Sequence, residues 1–408
     1  MKISGNKRII FTVFAVTVLC VFSFYLGLSF KTMPLHTLKE SNLASIEKKD
    51  EVAPLIEVMN YIKERYVKDV PDSVLVHGAI KGMVEALKDP YSVYMDNSEF
   101  EDFISSINGS FEGVGLSLGV DEKTSNIIVI SPIEGTPAHR AGILPRDVIV
   151  KVDDVDLKGK SLDEAVKLLR GKKGTRVTVY IERPGVKDVL KFELIRDNIK
   201  IKTVKYQLIE NNIGYIRISS FDTYTPQEMA DALKYLKLKK AKALILDLRN
   251  NPGGSLDSAV KVADLLLGKG LIVYTEDKNK NRLEEFYSDE NKINIPLAVL
   301  VNENSASASE IVAGAIKDFK AGIILGEKTF GKGTVQELVP LAGGAGIKLT
   351  IAKYFLPSGQ SIDGKGIIPD ITLKEEQNSG DFNSPLDKDT WLKKALEVIK
   401  NKISTGSY

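Results

Sequence analysis

The first feature of the hydrophobic pattern is residues 9–30, a run of 22 uncharged and mostly apolar positions. As a helix it would extend about 33 Å at roughly 1.5 Å per residue, enough to cross a bilayer. Lys2, Lys7 and Arg8 precede it and only Lys31 follows closely. The positive-inside rule then keeps the N-terminus cytoplasmic and sends everything beyond residue 31 outward, with residues 1–31 as an anchor at the cell membrane. A cleaved signal peptide ending near Gly27 and Ser29 is the competing reading, but the run exceeds the usual apolar core of roughly 7–15 residues. A polar linker, residues 32–52, separates this segment from the rest.

Helical periodicity begins with Leu55, Val58, Met59, Ile62 and Tyr66 and resumes over residues 74–87, bounded by Pro71 and by Asp89-Pro90. This predicts a packed helical pair within a region 53–105. From residue 106 to 196 the period shortens to strands with interspersed helices, an α+β module. Gly113-Val114-Gly115 stands before the alternating Leu116-Ser117-Leu118. Glycines there free consecutive backbone N–H groups to form an anion-binding nest, suited to a peptide carboxylate, although a plain β-turn has the same composition. Residues 136–143 form a short helix stopped by Gly142, residues 147–152 a strand turning at Asp153-Asp154, and Ser161-Leu162-Asp163-Glu164 a capping box opening a helix with Ala165, Val166, Leu168 and Leu169.

Residues 197–376 alternate apolar strands (213–218, 243–248, 297–301, 322–327) with helices (226–238, 256–267, and one through Phe319), the pattern of an α/β layered core. A closing segment, 377–408, carries a further amphipathic stretch from Trp391 to Ile399.

Composition narrows the chemistry. The 56 basic residues nearly balance 54 acidic ones, for a net charge of +2, without long runs of either sign, which argues against nucleic acid as a partner. The single cysteine, Cys20, rules out an intrachain disulfide and a cysteine-rich metal site. The three histidines are His36, His77 and His139, so none lies beyond residue 140 to serve as a base in the α/β core.

Within that core two features carry reactive side chains. The strand at 297–301 runs into Asn302-Glu303-Asn304-Ser305-Ala306-Ser307-Ala308-Ser309-Glu310. Three serines compete there, and Ser307 with Glu310 fits a capping box, a structural role compatible with a nucleophile whose neighbouring amide, that of Ala308, stabilises an oxyanion. The strand at 322–327 runs into Phe330-Gly331-Lys332-Gly333-Thr334-Val335-Gln336. Lacking a histidine, a serine nucleophile needs another base, and Lys332 qualifies only if burial pushes its amine well below the ordinary lysine range. A lysine between glycines is otherwise a surface turn. The loop Arg249-Asn250-Asn251-Pro252-Gly253-Gly254-Ser255 leads into a helix and offers glycine N–H groups to an anion, or is simply a strand-to-helix turn.

Residues 106–196, taken in the order loop, helix, strand, helix, resemble a PDZ domain, which binds a C-terminal peptide as an added strand. The motifs Asp247-Leu248-Arg249-Asn250-Asn251-Pro252-Gly253-Gly254, Ser305 to Glu310, Gly326-Glu327, Phe330 to Gln336, Tyr354-Phe355-Leu356-Pro357-Ser358-Gly359 and Gly366-Ile367-Ile368-Pro369-Asp370 resemble, in order, those of the C-terminal processing (tail-specific) peptidases of family S41. The resemblance implies a multidomain α/β and α+β protein with a ClpP/crotonase-like core and an inserted PDZ domain. It implies a serine endopeptidase with Ser307 as nucleophile, Lys332 as general base, Gln336 orienting Lys332, and Gly253 with Ala308 forming the oxyanion hole. No cofactor is required. The peptide groove would comprise Gly113, Val114, Gly115, Leu116, Leu118, Val166 and Leu169, which are equally suited to plain core, and Arg170 would couple it to the neighbouring domain or remain a solvated surface residue. Partners are proteins or peptides with free C-termini, and a homodimer is expected if residues 55–87 pack against the stretch 391–399. The alternatives are a PDZ scaffold that binds without cleaving and an acyl-CoA enzyme of crotonase-like fold. One tension is internal: residues four apart in an extended strand lie about 13 Å from each other, so Gln336 reaches Lys332 only if the glycine segment turns.

Overall fold

The computed structural model describes residues 49–107, 109–121, 124–290, 293–374 and 388–405, and the chain divides into two units at Ala79/Ile80. The apolar run at 9–30 lies outside the described residues; among those described, no helix is long and apolar enough to cross a membrane.

The first unit contains α1 (Lys49–Arg65) and the start of α2 (Asp72–Glu85), tied by the ion pair of Lys63 with Asp72 at 2.7 Å. The helices form as their periodicity predicts, but the stripe is not buried: Leu55, Ile56, Val58, Tyr61 and Tyr66 are exposed. Periodicity establishes which face is apolar, and leaves open whether the chain itself covers it.

In the second unit, β1 (Val93–Met95) and α3 (Asn97–Ile107) follow α2. Then β2 (Ser110–Gly113) leads to β3 (Leu116–Val120), β4 (Ile127–Pro132), α4 (Pro137–Arg140), β5 (Val148–Val152), β6 (Val155–Asp156), α5 (Leu162–Leu169), β7 (Arg176–Glu182) and β8 (Leu190–Ile195). The sheet order is β3-β4-β5-β7-β8 with β6 on β5, and all its pairings are antiparallel. Inward residues such as Val129, Ile149, Val179 and Ile181 build a separate core under α4 and α5. Ser161 caps α5 with Glu164 reaching back, the capping box expected from the sequence. β3 is an edge strand with α5 beside it. β9 (Asp197–Lys200) returns to pair with β2, closing the module at its base.

The remaining chain forms β10 (Val204–Ile209), β11 (Ile213–Ile218), α6 (Thr225–Leu238), β12 (Ala243–Asp247), α7 (Leu256–Asp264), β13 (Gly270–Glu276), β14 (Arg282–Ser288), β15 (Leu297–Val301), α8 (Ala308–Asp318), β16 (Ile323–Gly326), β17 (Thr334–Pro340), β18 (Gly346–Phe355), β19 (Ile371–Thr372) and α9 (Thr390–Thr405). One sheet runs β10-β11-β12-β15-β16-β19, parallel except for β10. Its central strands β12 and β15 are buried at every position, which is why they read as unbroken apolar runs rather than alternating ones. Helices α6, α7 and α8 cover one face and α9 the other. A second sheet, β1-β18-β13-β14 with β17 on β18, brings the residues before the PDZ-like module into the layered core, because β1 pairs with β18.

The expectation that the stretch 391–399 helps build a dimer interface is corrected here. Trp391, Leu392, Ala395, Leu396 and Ile399 are buried in α9 against Tyr215, Ile245, Leu300 and Leu325 of the chain's own sheet. A polar anchor holds the helix start. Arg249, 2% exposed, donates to Asp247 at 2.7 and 3.0 Å and to Asp389 at 2.7 and 3.0 Å, while the Tyr215 hydroxyl donates to Asp247 at 2.7 Å. Burial works against the charge of Asp247, but the Arg249 guanidinium holds its carboxyl below the usual range. Asp389 in turn accepts from the Leu392 N–H at 2.9 Å, within the first turn of α9.

Removing the cation would leave two carboxylates buried with too few donors. Arg249→Ala should therefore destabilise the protein by about 3–5 kcal/mol in a chemical unfolding titration. A change below about 1 kcal/mol would show that the ion pair is dispensable.

Candidate active site

Ser307 lies where β15 hands over to α8, at the helix N-cap, with φ 54° and ψ −113°. Positive φ costs a residue with a Cβ, so surrounding bonds must hold it. The loop after β12 does so from one side. The backbone oxygen of Asn251 accepts from the Ala306 N–H and from the Ser309 hydroxyl, each at 3.0 Å, and the Asn251 side-chain amide donates to the Ile218 carbonyl at 2.9 Å. Ser305 donates to the Leu248 carbonyl at 2.8 Å and accepts from the Asn302 N–H at 3.0 Å. These bonds sort the three serines. Ser305 and Ser309 are tied into the loop, whereas the Ser307 side chain meets the hydroxyl of Tyr354, which burial pushes above the ordinary tyrosine range.

From the other side the loop is held by Glu310, which is fully buried. Its carboxylate accepts four hydrogen bonds: from the Ser307 N–H at 2.8 Å, the Lys332 N–H at 2.9 Å, the Gly331 N–H at 2.7 Å and the Thr329 hydroxyl at 2.5 Å. Thr329 itself accepts from the Ile367 N–H at 2.6 Å. Burial pushes the Glu310 carboxyl up, and the four donors oppose that by stabilising its charge. One carboxylate thus bridges the backbone of the serine and the backbone of the lysine.

The Lys332 amine is half-buried and lies 4.7 Å from the centre of the Tyr91 ring. Burial lowers its proton affinity first, the charge of Lys348 adds to that, and Asp89 opposes it. In this conformation the amine makes no hydrogen bond to Ser307 or to Gln336. The segment does turn at Gly331, with φ 92°, and β17 starts only at Thr334, yet the Gln336 amide donates to the hydroxyls of Thr334 at 2.8 Å and Thr350 at 3.3 Å. Ser307 and Lys332 are therefore neighbours through their backbones, while Gln336 is not brought to Lys332.

Ala308 is the first residue of α8, where backbone N–H groups have no acceptor within the helix. Gly253 approaches so closely that an added Cβ would stand 2.8 Å from the Ser307 Cβ and 2.9 Å from the Ala308 nitrogen, and its φ of 98° also favours glycine. Its N–H, however, donates to the Asn251 side-chain oxygen at 2.9 Å and is not free in this conformation.

In the PDZ-like module, Gly115 has φ 81° and no room for a side chain against Thr136. Leu116, Leu118 and Val166 are half-buried along β3 and α5. Leu169 is a buried core residue, the plain-core alternative for that position, and Val114 in the glycine loop is buried too, its backbone carbonyl accepting from the Ala138 N–H at 2.9 Å. Arg170 pairs with Asp102 of α3 and lies 5.3 Å from the centre of the Phe111 ring, so its partner is in the segment before the module. Asp89, Tyr91, Lys348 and Tyr354 were not anticipated as site residues. Asp89 carried only a helix-stop signal and Tyr354 only its place in a motif; nothing local marks Tyr91 or Lys348.

Layered core, PDZ-like module and serine–lysine juxtaposition together define a peptidase of the S41 class. Family models agree: peptidase family S41 matches residues 212–373, a PDZ domain residues 128–183, and the N-terminal domain of the activating protease CtpB residues 17–99. The carboxy-terminal processing protease CtpA of Bacillus subtilis is 44% identical over 311 residues, covering 76% of this chain and 66% of that protein. The carboxy-terminal-processing protease of Bartonella bacilliformis is 41% identical over 336 residues, covering 80% of this chain and 75% of that one. The crystal structure of a putative S41 protease from Bacteroides fragilis shares the fold, with a TM-score of 0.53 at 17% identity over 84% of this chain and 97% of that one. The chain belongs to the carboxy-terminal processing protease family.

Glutamine at position 310 would keep the shape of the clamp but supply one acceptor oxygen where two now serve four donors. Glu310→Gln should cost about 2–4 kcal/mol of stability in urea unfolding, from donors left facing an amide NH2. Unchanged stability would mean that the clamp contributes nothing.

Proposed function

We propose that this chain is a serine endopeptidase that cleaves proteins delivered by their C-termini. The observation that carries the reading is the shared Glu310 carboxylate, which holds Ser307 and Lys332 side by side although neither is bonded to a histidine. Ser307 attacks the scissile carbonyl as neutral Lys332 takes its proton. The resulting oxyanion is stabilised by the Ala308 amide and by Gly253 once its N–H leaves Asn251. Collapse of the tetrahedral species leaves an acyl-enzyme on Ser307, and Lys332 returns its proton to the departing amine. Water then releases the acyl group. Turning of the Lys332 side chain from Tyr91 toward Ser307 precedes the first step, and Gln336 orients the amine there after leaving Thr334. The helix start and the loop after β12 need no metal or organic cofactor for this chemistry.

Substrate selection falls to the PDZ domain. Edge strand β3 has unpaired backbone groups to which an extended peptide adds, with its carboxylate at Gly113-Val114-Gly115 and its side chains over Leu116, Leu118 and Val166. Arg170, paired with Asp102, connects that groove to the segment leading back to the layered core.

Ser307→Ala and Lys332→Ala should each lower turnover of a tailed protein by about a thousandfold or more, read by mass spectrometry of the products. Wild-type kcat/KM should fall as pH drops, because protonation removes the base. Burial and Lys348 push the amine down, so that loss should begin below the ordinary lysine range. Full cleavage by Ser307→Ala would end the proposal.

The apolar run at 9–30 anchors the chain in the cell membrane with the peptidase outside the cytoplasm, and the exposed apolar face of α1 pairs with a second copy. The full chain should then fractionate with membranes, and a version lacking residues 1–31 should sediment as a dimer at micromolar concentration. A soluble full-length chain counts against the anchor, and a monomer against the pairing.

A further inference from the structure

The loop joining α2 to β1 lies against the base, and the mechanism above names its Tyr91 only as the place that the amine leaves. Its Asp89 carboxylate accepts from the Tyr91 N–H at 3.1 Å and from the Ser92 hydroxyl at 2.6 Å. Ser92 also accepts from the Thr350 N–H at 3.0 Å, and Val93 pairs with Lys348 in the β1–β18 register. The loop is thereby fastened to β18, the strand that flanks β17 just after Lys332. This fastening sets the Tyr91 ring under the Lys332 amine, with 4.7 Å from nitrogen to ring centre. Lys348 has a similar seat, 5.0 Å from the centre of the Phe103 ring on α3. The charges facing Lys332 are thus Asp89 and Lys348, with the Glu310 carboxylate bonded to its backbone N–H rather than to its amine.

We propose that Tyr91, Asp89 and Lys348 are positioning residues for Lys332: ring and carboxylate hold the protonated amine at the loop, away from Ser307, and Lys348 acts against that hold. The inference rests on the reading of Lys332 as the base. An ammonium is attracted both to the face of an aromatic ring and to a carboxylate, whereas a neutral amine is attracted to neither with comparable strength. Loss of the proton therefore releases the side chain from Tyr91 in the one state in which it is useful to Ser307. Charge and position become a single variable, and a protonated base is kept out of reach of the nucleophile. Asp89 favours the parked cation. Lys348, repelled by it, favours release.

Amine protonation is measurable without turnover, by competitive trace acetylation with acetic anhydride across a pH series and mass spectrometry of the Lys332 peptide, in full-length Ser307→Ala protein. Asp89→Asn should move the Lys332 midpoint to lower pH and Lys348→Met to higher pH, each by about half a unit or more. Tyr91→Phe, which keeps the ring, should leave the midpoint in place, and Tyr91→Leu, which keeps the apolar volume but not the ring face, should lower it. Thermal unfolding of each variant identifies any that fail to fold, and the opposite-sign pair at 89 and 348 does not depend on the Tyr91 variants. Midpoints that stay put or move together, with turnover lost in Lys332→Ala, overturn the positioning role and leave the base reading standing. Full turnover in Lys332→Ala overturns both.

Discussion

A single buried carboxylate organises this protein's reactive centre. Glu310 sits in the first turn of α8, and its four acceptor contacts reach the N-cap of its own helix and the glycine-rich approach to β17. It joins the serine loop after β15 to the lysine loop after β16, alongside a backbone bond from the Phe330 N–H to the Ser305 carbonyl at 3.0 Å. The positive φ of Ser307 needs such support, because strain of that kind persists only where neighbouring bonds over-determine the backbone. The Asn251 carbonyl supplies the second restraint, holding Ala306 and Ser309 on either side of Ser307. The restraints act on the main chain, while the Ser307, Lys332 and Gln336 side chains contact, respectively, Tyr354, Tyr91, and Thr334 with Thr350.

Much of the architecture was legible in the chain because burial leaves a periodic trace. The unbroken apolar runs at 243–247 and 297–301 marked strands covered on both faces, and Ser161 with Glu164 marked the start of α5. Where the trace misled, the missing information was the partner. The stretch 391–399 and the helices at 49–85 show the same kind of stripe, yet one is buried by its own sheet and the other is open. A pattern identifies an apolar face without saying what lies against it.

The site was legible to the extent that motifs carry it. Ser307, Lys332, Ala308 and Gly253 do converge, but the residues that surround the amine come from positions far apart in sequence. Tyr91 meets Lys332 because β1 adds to β18 in the sheet that also holds β17, a long-range pairing that no local spacing announces, while Lys348 comes from β18 itself, the direct neighbour of β17. Glu310 was visible as a helix cap; that the same carboxylate also binds the lysine loop depends on the β15–β16 crossover. Leu169, which the sequence left open between groove and core, packs in the core beneath the loop.

The bond between Arg249 and Asp389 links the start of α9 to the loop that holds Ser307. Arg249 lies two positions before Asn251, whose carbonyl steadies both flanks of Ser307. Loss of Asp389 together with α9 would take away two of the four bonds that the guanidinium makes to carboxylates.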